Sequence, residues 1–377
     1  MKKIKFVVLS ALFCIAEISY ANSAEQYPNV SGQILFESRN DHVLESKKQG
    51  LESNSALINI EPDFTLSFNE RWSVKTGWRI LPIRHRQYDS PERSRSILGN
   101  KEGINRGINQ DDTGLIVEEL KLNFENDDMK FSVGKYNPTF ATLYRRNKRI
   151  GLFVTDFTED YELREKLGFS LGALLEDSEI TINSFFTDAT DLSRSAFNDR
   201  DKQSRNDGLS GNTGTLSSYS ITMEGQKFLG VENLYYNLGY RSLGVDKQDS
   251  QGSREIAYTA NLEYLHKINR LTSIIPVFEI VKLSNFTGRK NRDGEYITTS
   301  IIGKYSGWSA SISSILRNLD NNYPSALTSK SHDRLMQLSI GYKFANNIAV
   351  DINRASVRED GHRAALLGLM ISYLYEF

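Results

Sequence analysis

The chain has 377 residues, of which 39% are hydrophobic, 25% charged and 11% aromatic, and its formal net charge is -1. The aromatic content excludes an intrinsically disordered chain, and 26 glycines with 7 prolines exclude a collagen-like or proline-rich fibre. The near-zero charge gives no bulk attraction for nucleic acid. A single cysteine excludes disulfide scaffolds and cysteine-rich metal sites. Two ordinary domains, or one large β or α/β domain, remain at this length.

The N-terminus has the pattern of a secretory signal peptide. Lysines at positions 2, 3 and 5 precede an apolar run from Phe6 to Ile18, and small residues then suit cleavage at about 21–24. An uncleaved membrane helix would need about 20 apolar residues, and this run has roughly 13. We therefore predict a signal peptide over residues 1–21 and one exported domain over 22–377. That domain has no cysteine, because Cys14 lies in the signal peptide.

Alternating apolar and polar residues recur along the rest of the chain, which is typical of strands with two different faces. In one of them Ile58, Ile60, Phe64 and Leu66 alternate with polar neighbours. The predicted strands, in chain order, lie at about 30–37, 58–68, 72–80, 114–125, 129–137, 164–175, 179–187, 215–225, 232–241, 254–265, 271–283, 296–305, 308–317, 333–345, 348–357 and 364–377. This pattern predicts an all-β chain of about 16 strands, and no segment reaches the roughly 20 apolar residues of a transmembrane helix.

The predicted connections alternate between short turns and long polar segments. Short turns include 126–128, 176–178, 306–307 and 346–347, and the long segments lie at about 40–54, 83–113, 138–163, 188–214, 242–253, 284–295, 318–332 and 358–363. Outer-membrane barrels have short periplasmic turns and longer extracellular loops, whereas a soluble sandwich has no reason for this asymmetry. We therefore predict a transmembrane antiparallel β-barrel, with 83–113 and 188–214 outside the cell. A soluble sandwich or solenoid is the alternative.

Aromatic placement favours the barrel. Six aromatic residues adjoin short turns or the C-terminus, as expected of a girdle at one membrane interface: Phe68, Trp72, Phe124, Trp308, Phe344 and Phe377. The last segment, from Leu367 to Phe377, places alternate apolar residues on one face and ends in an aromatic residue. It resembles the terminal strand of Gram-negative outer-membrane proteins, and this resemblance implies that Phe377 is part of the signal read by the barrel-assembly machinery.

The signal peptide, strand number, eight long loops and terminal phenylalanine together resemble the general porin layout over the whole mature chain. The segment Gly134-Lys135-Tyr136-Asn137-Pro138-Thr139-Phe140 is also similar to the Gly…Pro-Phe stretch of phosphate-selective porins. The Pro-Glu-Phe-Gly sequence of many general porins is absent. The resemblance implies a passive outer-membrane channel for small hydrophilic solutes, in contact with lipid and lipopolysaccharide, with a homotrimer as the analogous assembly. We expect no cofactor, metal or nucleic-acid partner.

Strand parity predicts which residues line such a channel. If Trp72 and Trp78 face lipid, the basic residues between and beside them face inward, because charge on the lipid face costs about 2–4 kcal/mol at the midplane. The predicted inward-facing basic residues are Lys75, Arg79, Lys121, Lys130 and Lys166. This basic strip predicts a mild anion preference at low salt.

The segment 138–163 lies where general porins fold a loop into the barrel, so the resemblance implies a constriction there. Its predicted constriction residues are basic in the first half, Arg145, Arg146 and Arg149, and acidic in the second half, Asp156, Glu159 and Asp160. An acidic segment opposite a basic wall would create a transverse field across the path of polar solutes. The alternative is a solvated surface loop whose charges pair with one another or with lipopolysaccharide and divalent cations.

Two other functions stay open. A barrel enzyme would need a catalytic set, and Ser331-His332-Asp333 is the adjacent set worth testing. Neighbours on one strand point to opposite faces, so these three cannot form a triad by themselves. The 5 histidines show no metal-ligand spacing, and we expect no catalysis. An adhesin or structural barrel would be favoured by a lumen filled with side chains.

Overall fold

The computed structural model describes residues 27–47, 54–82, 113–144, 150–196, 210–246, 252–322 and 330–377. The predicted signal peptide, residues 1–21, lies outside these ranges. Among the described residues, no helix is long and apolar enough to cross a membrane. The short helical pieces are Thr155–Thr158 and the 3-10 turns Glu159–Tyr161, Asp191–Ser193, Phe228–Gly230 and Phe286–Gly288.

The described strands form one closed antiparallel barrel, which confirms the predicted fold class. Glu255–Tyr264 and its two-residue continuation His266–Lys267 both pair with the strand that follows, so together they are one barrel strand, β10. The sixteen strands are β1 Asn29–Ser46, β2 Asn54–Ser67, β3 Trp72–Pro82, β4 Thr113–Glu125, β5 Met129–Tyr136, β6 Lys166–Leu175, β7 Ser178–Thr187, β8 Ser218–Gly225, β9 Leu234–Leu243, β10 as defined, β11 Thr272–Ser284, β12 Arg292–Tyr305, β13 Trp308–Asn321, β14 Lys330–Lys343, β15 Ile348–Glu359 and β16 His362–Glu376.

The first and last strands close the barrel. Phe36 of β1 lies opposite Tyr373 of β16 on one side and Ile60 of β2 on the other. At the end of this seam Gly32 and Phe377 exchange two backbone hydrogen bonds, at 3.0 and 3.1 Å. Closure leaves no sheet edge with unpaired backbone groups, which is what a membrane requires of a spanning sheet.

Each strand presents one apolar and one mixed face. On β14 Met336, Leu338 and Ile340 point outward and are exposed, whereas Gln337 and Ser339 point inward and are buried. The outward faces of the other strands are also mainly apolar. The alternation seen in the sequence is therefore the difference between a lipid-facing and an interior surface.

Asparagine side chains close the short turns at one end of the barrel. Asn69, Asn126 and Asn269 each accept two backbone N–H bonds, from the second and third residues after them, at 2.8–3.1 Å. Short polar side chains at this position stabilise a tight turn. Aromatic rings lie at the same end, where Trp72 packs against Phe124 with ring centroids 4.9 Å apart.

At the opposite end several strands run further than the alternation predicts. β12 begins at Arg292 instead of about 296, and β13 ends at Asn321 instead of about 317. The predicted long connection 358–363 is a two-residue hairpin, in which Asp360 and Gly361 both have positive φ, as an Asp-Gly turn allows. Backbone pairing continues here beyond the apolar band, where outward side chains no longer need to be apolar, so the sequence loses its alternation before the strands end.

Candidate functional site

The inner loop, residues 137–165 between β5 and β6, enters the barrel through the segment that resembles phosphate-selective porins. Gly134, near the end of β5, has a φ of +135°, and a Cβ there would lie 2.3 Å from the carbonyl oxygen of Leu120, so this position requires glycine. Further along, the ring of Phe140 lies beneath the guanidinium of Arg241, 4.6 Å from its carbon to the ring centroid. The start of the loop therefore lies against the inward side chain of Arg241 on β9.

The loop crosses the lumen and contacts the inward faces of β13, β14 and β15. The N–H of Phe153 donates to Gln337 Oε1 at 3.0 Å, and the N–H of Leu152 donates to Asn353 Oδ1 at 3.1 Å. The hydroxyl of Ser313 donates to the carbonyl of Ile150 at 2.5 Å. The described part of 138–163 therefore lies inside the barrel.

Two apolar clusters fix the loop against one side of the interior. In the first, loop residues including Phe153 and Phe157 pack on inward side chains of β1 and β11–β16, such as Leu335 and Leu366. In the second, loop residues including Phe140 pack on side chains from β7 and β9–β13. Burying a side chain of this size contributes about 1.5–3 kcal/mol each. The described part of the loop therefore packs against the side of the interior formed by β1, β7 and β9–β16.

A buried arginine joins the loop to this wall. Arg317 of β13 is 2% exposed, and its guanidinium lies 3.1 Å from Asp160 Oδ2 of the loop. On the wall it contacts Asp333 and Glu359, each at 2.7 Å. The ring of Phe157 lies 4.0 Å from its Cζ. Asp160, one of the predicted constriction residues, is 1% exposed and forms its ion pair with this cation.

A buried carboxylate on β11 holds the two limbs of the loop together. Glu279 Oε2 accepts the N–H bonds of Thr142 and Leu143 at 2.9 and 3.2 Å, and Oε1 accepts the hydroxyl of Tyr161 at 2.7 Å. Burial, with the Glu279 charge as a further cause, raises the pKa of the Tyr161 phenol well above its ordinary value. Tyr161 therefore stays a hydrogen-bond donor across the physiological range.

The opposite wall of the interior, formed by β2–β6, is charged and partly exposed. On β3 and β4, Lys75 lies directly opposite Lys121. Their ammonium groups share one carboxylate, with Lys75 3.4 Å from Glu119 Oε2 and Lys121 3.4 Å from Oε1. The three side chains are 34%, 18% and 14% exposed, respectively. This group carries one excess positive charge.

Two more of the predicted wall cations, Arg79 and Lys130, have acidic partners. Arg79 pairs with Glu118 and, at 3.9 Å, with Glu61. Lys130 lies 2.9 Å from Glu179. Four of the five predicted wall cations, Lys75, Lys121, Arg79 and Lys130, therefore lie beside a carboxylate.

The last wall cation, Lys166, donates to the hydroxyl of Thr187 at 2.8 Å. On the loop, Asp156 lies 3.8 Å from Arg39 of β1, and Glu159 lies 3.1 Å from Arg164. Arg145, Arg146 and Arg149 lie outside the described residues. The pore-lining role of these residues stays a prediction.

Sequence reasoning missed the partner charges. Glu61 and Glu179 come from strands whose register with β3 and β5 is not visible in the sequence. Glu118 is the extra residue of a bulge, since Gly77 pairs with Glu119 but Trp78 pairs with Val117. The alternation of inward and outward side chains is interrupted at a bulge, so counting residues does not predict that Glu118 faces inward. Arg164 pairs with Glu159 and Glu162 of the same loop, and these contacts form only when the loop is folded.

The Ser331-His332-Asp333 set is divided between two faces. The Ser331 hydroxyl donates to Asp333 Oδ1 at 2.8 Å on the inner side, whereas His332 is exposed on the outer side and contacts Asn318 at 3.0 Å. Within the described ranges, no group of three or more His, Cys, Asp or Glu side chains could hold a metal ion.

No protein-family model and no curated sequence matches this chain. Its fold is similar to that of solved outer-membrane porins. OmpF of Salmonella typhi, solved in complex with daunomycin, has a TM-score of 0.61 at 10% identity, with 92% of this chain and 97% of that chain covered. The outer membrane channel DcaP of Acinetobacter baumannii has a TM-score of 0.57 at 9% identity, covering 94% and 100%. OpdK of Pseudomonas aeruginosa has a TM-score of 0.52 at 10% identity, covering 93% and 99%. The chain therefore has the fold of outer-membrane porins.

Proposed function

We propose that this protein is a passive outer-membrane channel for small hydrophilic solutes and that it carries out no catalysis. One observation carries the proposal: the apolar clusters of the described inner loop lie against β1, β7 and β9–β16, while the wall of β2–β6 keeps partly exposed charged side chains. Barrels of about 16 strands enclose an aqueous space that inward side chains alone do not fill. A solute would pass between this wall and the charged edge of the loop.

The charge pattern supports weak selectivity. Polar solutes would meet Arg79 with its two carboxylates on the wall, and Glu162 and Arg164 of the loop lie close enough to act electrostatically on Arg79. Such closely paired charges hydrogen-bond a passing solute but produce little net potential. The shared carboxylate Glu119 leaves one positive charge in excess, which favours anions mildly. The specificity would come mainly from the width left by the loop.

A structural barrel is the second candidate, because the apolar clusters fill one side of the lumen so completely. Phe153 and Phe157 of the loop are 0% exposed. A structural barrel would have a lumen filled with side chains and no open path. Planar-bilayer recording separates the two candidates.

Purified protein, without its first 21 residues, should give stepwise conductance in a planar bilayer. In a salt gradient we expect a small zero-current potential of the sign for anions, and in liposome swelling we expect neutral sugars to enter at rates that fall with size. Native mass spectrometry of the same preparation would count the copies in the expected homotrimer. Stable insertion without conductance steps would refute the channel and favour the structural barrel.

The proposed location is the outer membrane, with export by the N-terminal signal peptide and insertion by the barrel-assembly machinery. The C-terminal strand supports this, because β16 is the strand that closes the barrel and Phe377 is bonded to Gly32 of β1. The aromatic ring of Phe377 also packs against Phe64 of β2, with centroids 5.9 Å apart. Deleting Phe377 should therefore lower the yield of folded barrel in the outer membrane, while the amount of protein exported to the periplasm should stay unchanged.

A further inference from the structure

A row of cations crosses the outward surface of the barrel near its long-loop end. Arg334 on β14 lies opposite Arg358 on β15, and Arg358 lies opposite Arg363 on β16. All three side chains are exposed. Lys47, just after β1, extends this arginine row, since its N–H donates to the carbonyl of Arg363 at 3.0 Å. Neighbouring strands are about 4.8 Å apart, and like charges directly opposite each other destabilise a sheet.

The surface around the arginine row supplies little compensation. Among the described residues, no carboxylate forms an ion pair with any of the three arginines. Asp320 is 3.5 Å from Lys330, which lies four residues nearer the long loops than Arg334 on the same strand. The exposed Glu45 lies opposite Ala365, on the membrane side of the row. Elsewhere at this end an outward cation is paired, as Lys282 is with Glu295 at 3.2 Å. The row therefore lacks the partner that the fold provides at the comparable position on β11.

The height of the arginine row places it at the edge of the apolar band. Eight residues separate Arg334 from Tyr342, which packs against Trp308 in the aromatic girdle at the short-turn end. At about 3.4 Å per residue this is about 27 Å of strand, or about 20 Å along the membrane normal for a tilt near 40°. The apolar band of such barrels is about 25 Å tall. Because long cationic side chains extend toward the polar layer, the guanidinium groups reach the headgroups of the outer leaflet.

We propose that the arginine row binds phosphate groups on the headgroup of an anionic glycolipid in the outer leaflet. Guanidinium groups bind phosphate oxygens through two parallel hydrogen bonds, a geometry that lysine does not offer. A headgroup with two phosphates can contact neighbouring arginines at once and removes the repulsion between them. The proposal rests on the proposed function, because it requires the barrel to lie in the outer membrane with its long loops outward.

A second copy of the chain fits this surface less well than a lipid. In a two-fold contact the same patch meets itself, so the arginine row would face another arginine row. A ring contact would have to supply carboxylates from another face of the barrel. A phosphorylated headgroup provides the missing negative charge directly and at the correct height.

The test measures lipid binding by the whole purified barrel with native mass spectrometry. The probes are bisphosphorylated lipid A, lipid A with its phosphates removed, and inorganic phosphate as competitor. The variant is the triple substitution Arg334→Gln, Arg358→Gln and Arg363→Gln, and the matched control is Lys282→Gln. We expect the triple variant to bind bisphosphorylated lipid A about a hundredfold more weakly, the control to bind it like wild type, and inorganic phosphate not to displace it.

Several outcomes would overturn the proposal. One is a triple variant that binds lipid A like wild type, and another is equal binding of the phosphate-free lipid. Displacement of lipid A by inorganic phosphate would indicate a free-anion site, and a changed copy number with unchanged lipid binding would indicate a protein interface. If the triple variant does not fold, Arg363→Gln alone should weaken binding about fivefold. Bilayer conductance of the same samples is read separately, so a wild-type barrel that binds lipid A without conducting refutes the channel and not the lipid site.

Discussion

Replacing Arg317 by Gln tests whether ion pairing to the wall holds the inner loop in place. The guanidinium is 2% exposed and contacts Asp160 of the loop together with Asp333 and Glu359 of the wall. Its removal leaves three buried carboxylates without their cation. Breaking a buried ion pair costs about 3–5 kcal/mol, because the remaining charge is uncompensated. Repulsion between Asp160 and the two wall carboxylates would then push the loop away from β13.

Two measurements follow this change. The denaturant midpoint of the purified barrel should fall by an amount corresponding to that energy, and the single-channel current should become larger and noisier, because the loop has lost a fixed point. Lys330→Gln is the control, since it breaks an ion pair with Asp320 at 3.5 Å on the exposed outer surface, where such pairs contribute about 0–1 kcal/mol. If Arg317→Gln has the stability and the current of wild type, ion pairing to the wall does not hold the loop in place.

Removing the carboxylate or the two lysines of the shared ion pair should change the ion selectivity in opposite directions. Alanine substitutions at two glycines test how closely the loop fits the wall. At about 0.01 M salt, Glu119→Gln should shift the zero-current potential toward anions, and the double change Lys75→Gln with Lys121→Gln should shift it toward cations; both shifts should fade at about 1 M. Shifts of the same sign would contradict a shared carboxylate in the pore. Gly151→Ala should destabilise the barrel by about 1–3 kcal/mol, because φ is +121° and the new Cβ would lie 2.0 Å from Gln337 Nε2. Gly361→Ala also has a positive φ but meets nothing within 4 Å, so a smaller loss of stability, about 1 kcal/mol, is expected in the same melt; equal losses would show that the loop has room at Gly151.

The barrel could be predicted from the sequence because a period of two persists wherever one face meets lipid and the other does not. β14 keeps this pattern from Leu335 to Tyr342, and its predicted start was three residues late only because Lys330 and His332 face water at the outer end. The pattern reports the environment of side chains and not the length of backbone pairing. Strand number is therefore more predictable than strand bounds.

For the charged wall, the sequence predicts which cations face inward but not which carboxylates they pair with. Parity gives the facing of Lys75 and Lys121, which lie opposite each other in the structure. It does not give the distance of Arg79 or Lys130 from a carboxylate, since Glu61 and Glu179 reach these cations only through the register of three further strands. Strand parity thus identifies which cations face inward. The electrostatic potential inside the barrel also depends on their ion pairs with carboxylates, which the sequence does not show.

The position of the inner loop has a signal that periodicity analysis overlooks. Strands β11–β16 carry apolar residues on their inward faces as well as their outward faces, such as Ile275, Val277 and Leu366. Inward apolar side chains have no lipid to contact, and leaving them in a water-filled lumen would forfeit about 1.5–3 kcal/mol each. A segment inside the barrel must therefore cover them. Among the described connections, the inner loop covers this surface with Phe153 and Phe157. β2–β6 instead carry charges on their inward faces, so the distribution of residue types among the strands already indicates on which side the loop packs and which side stays charged.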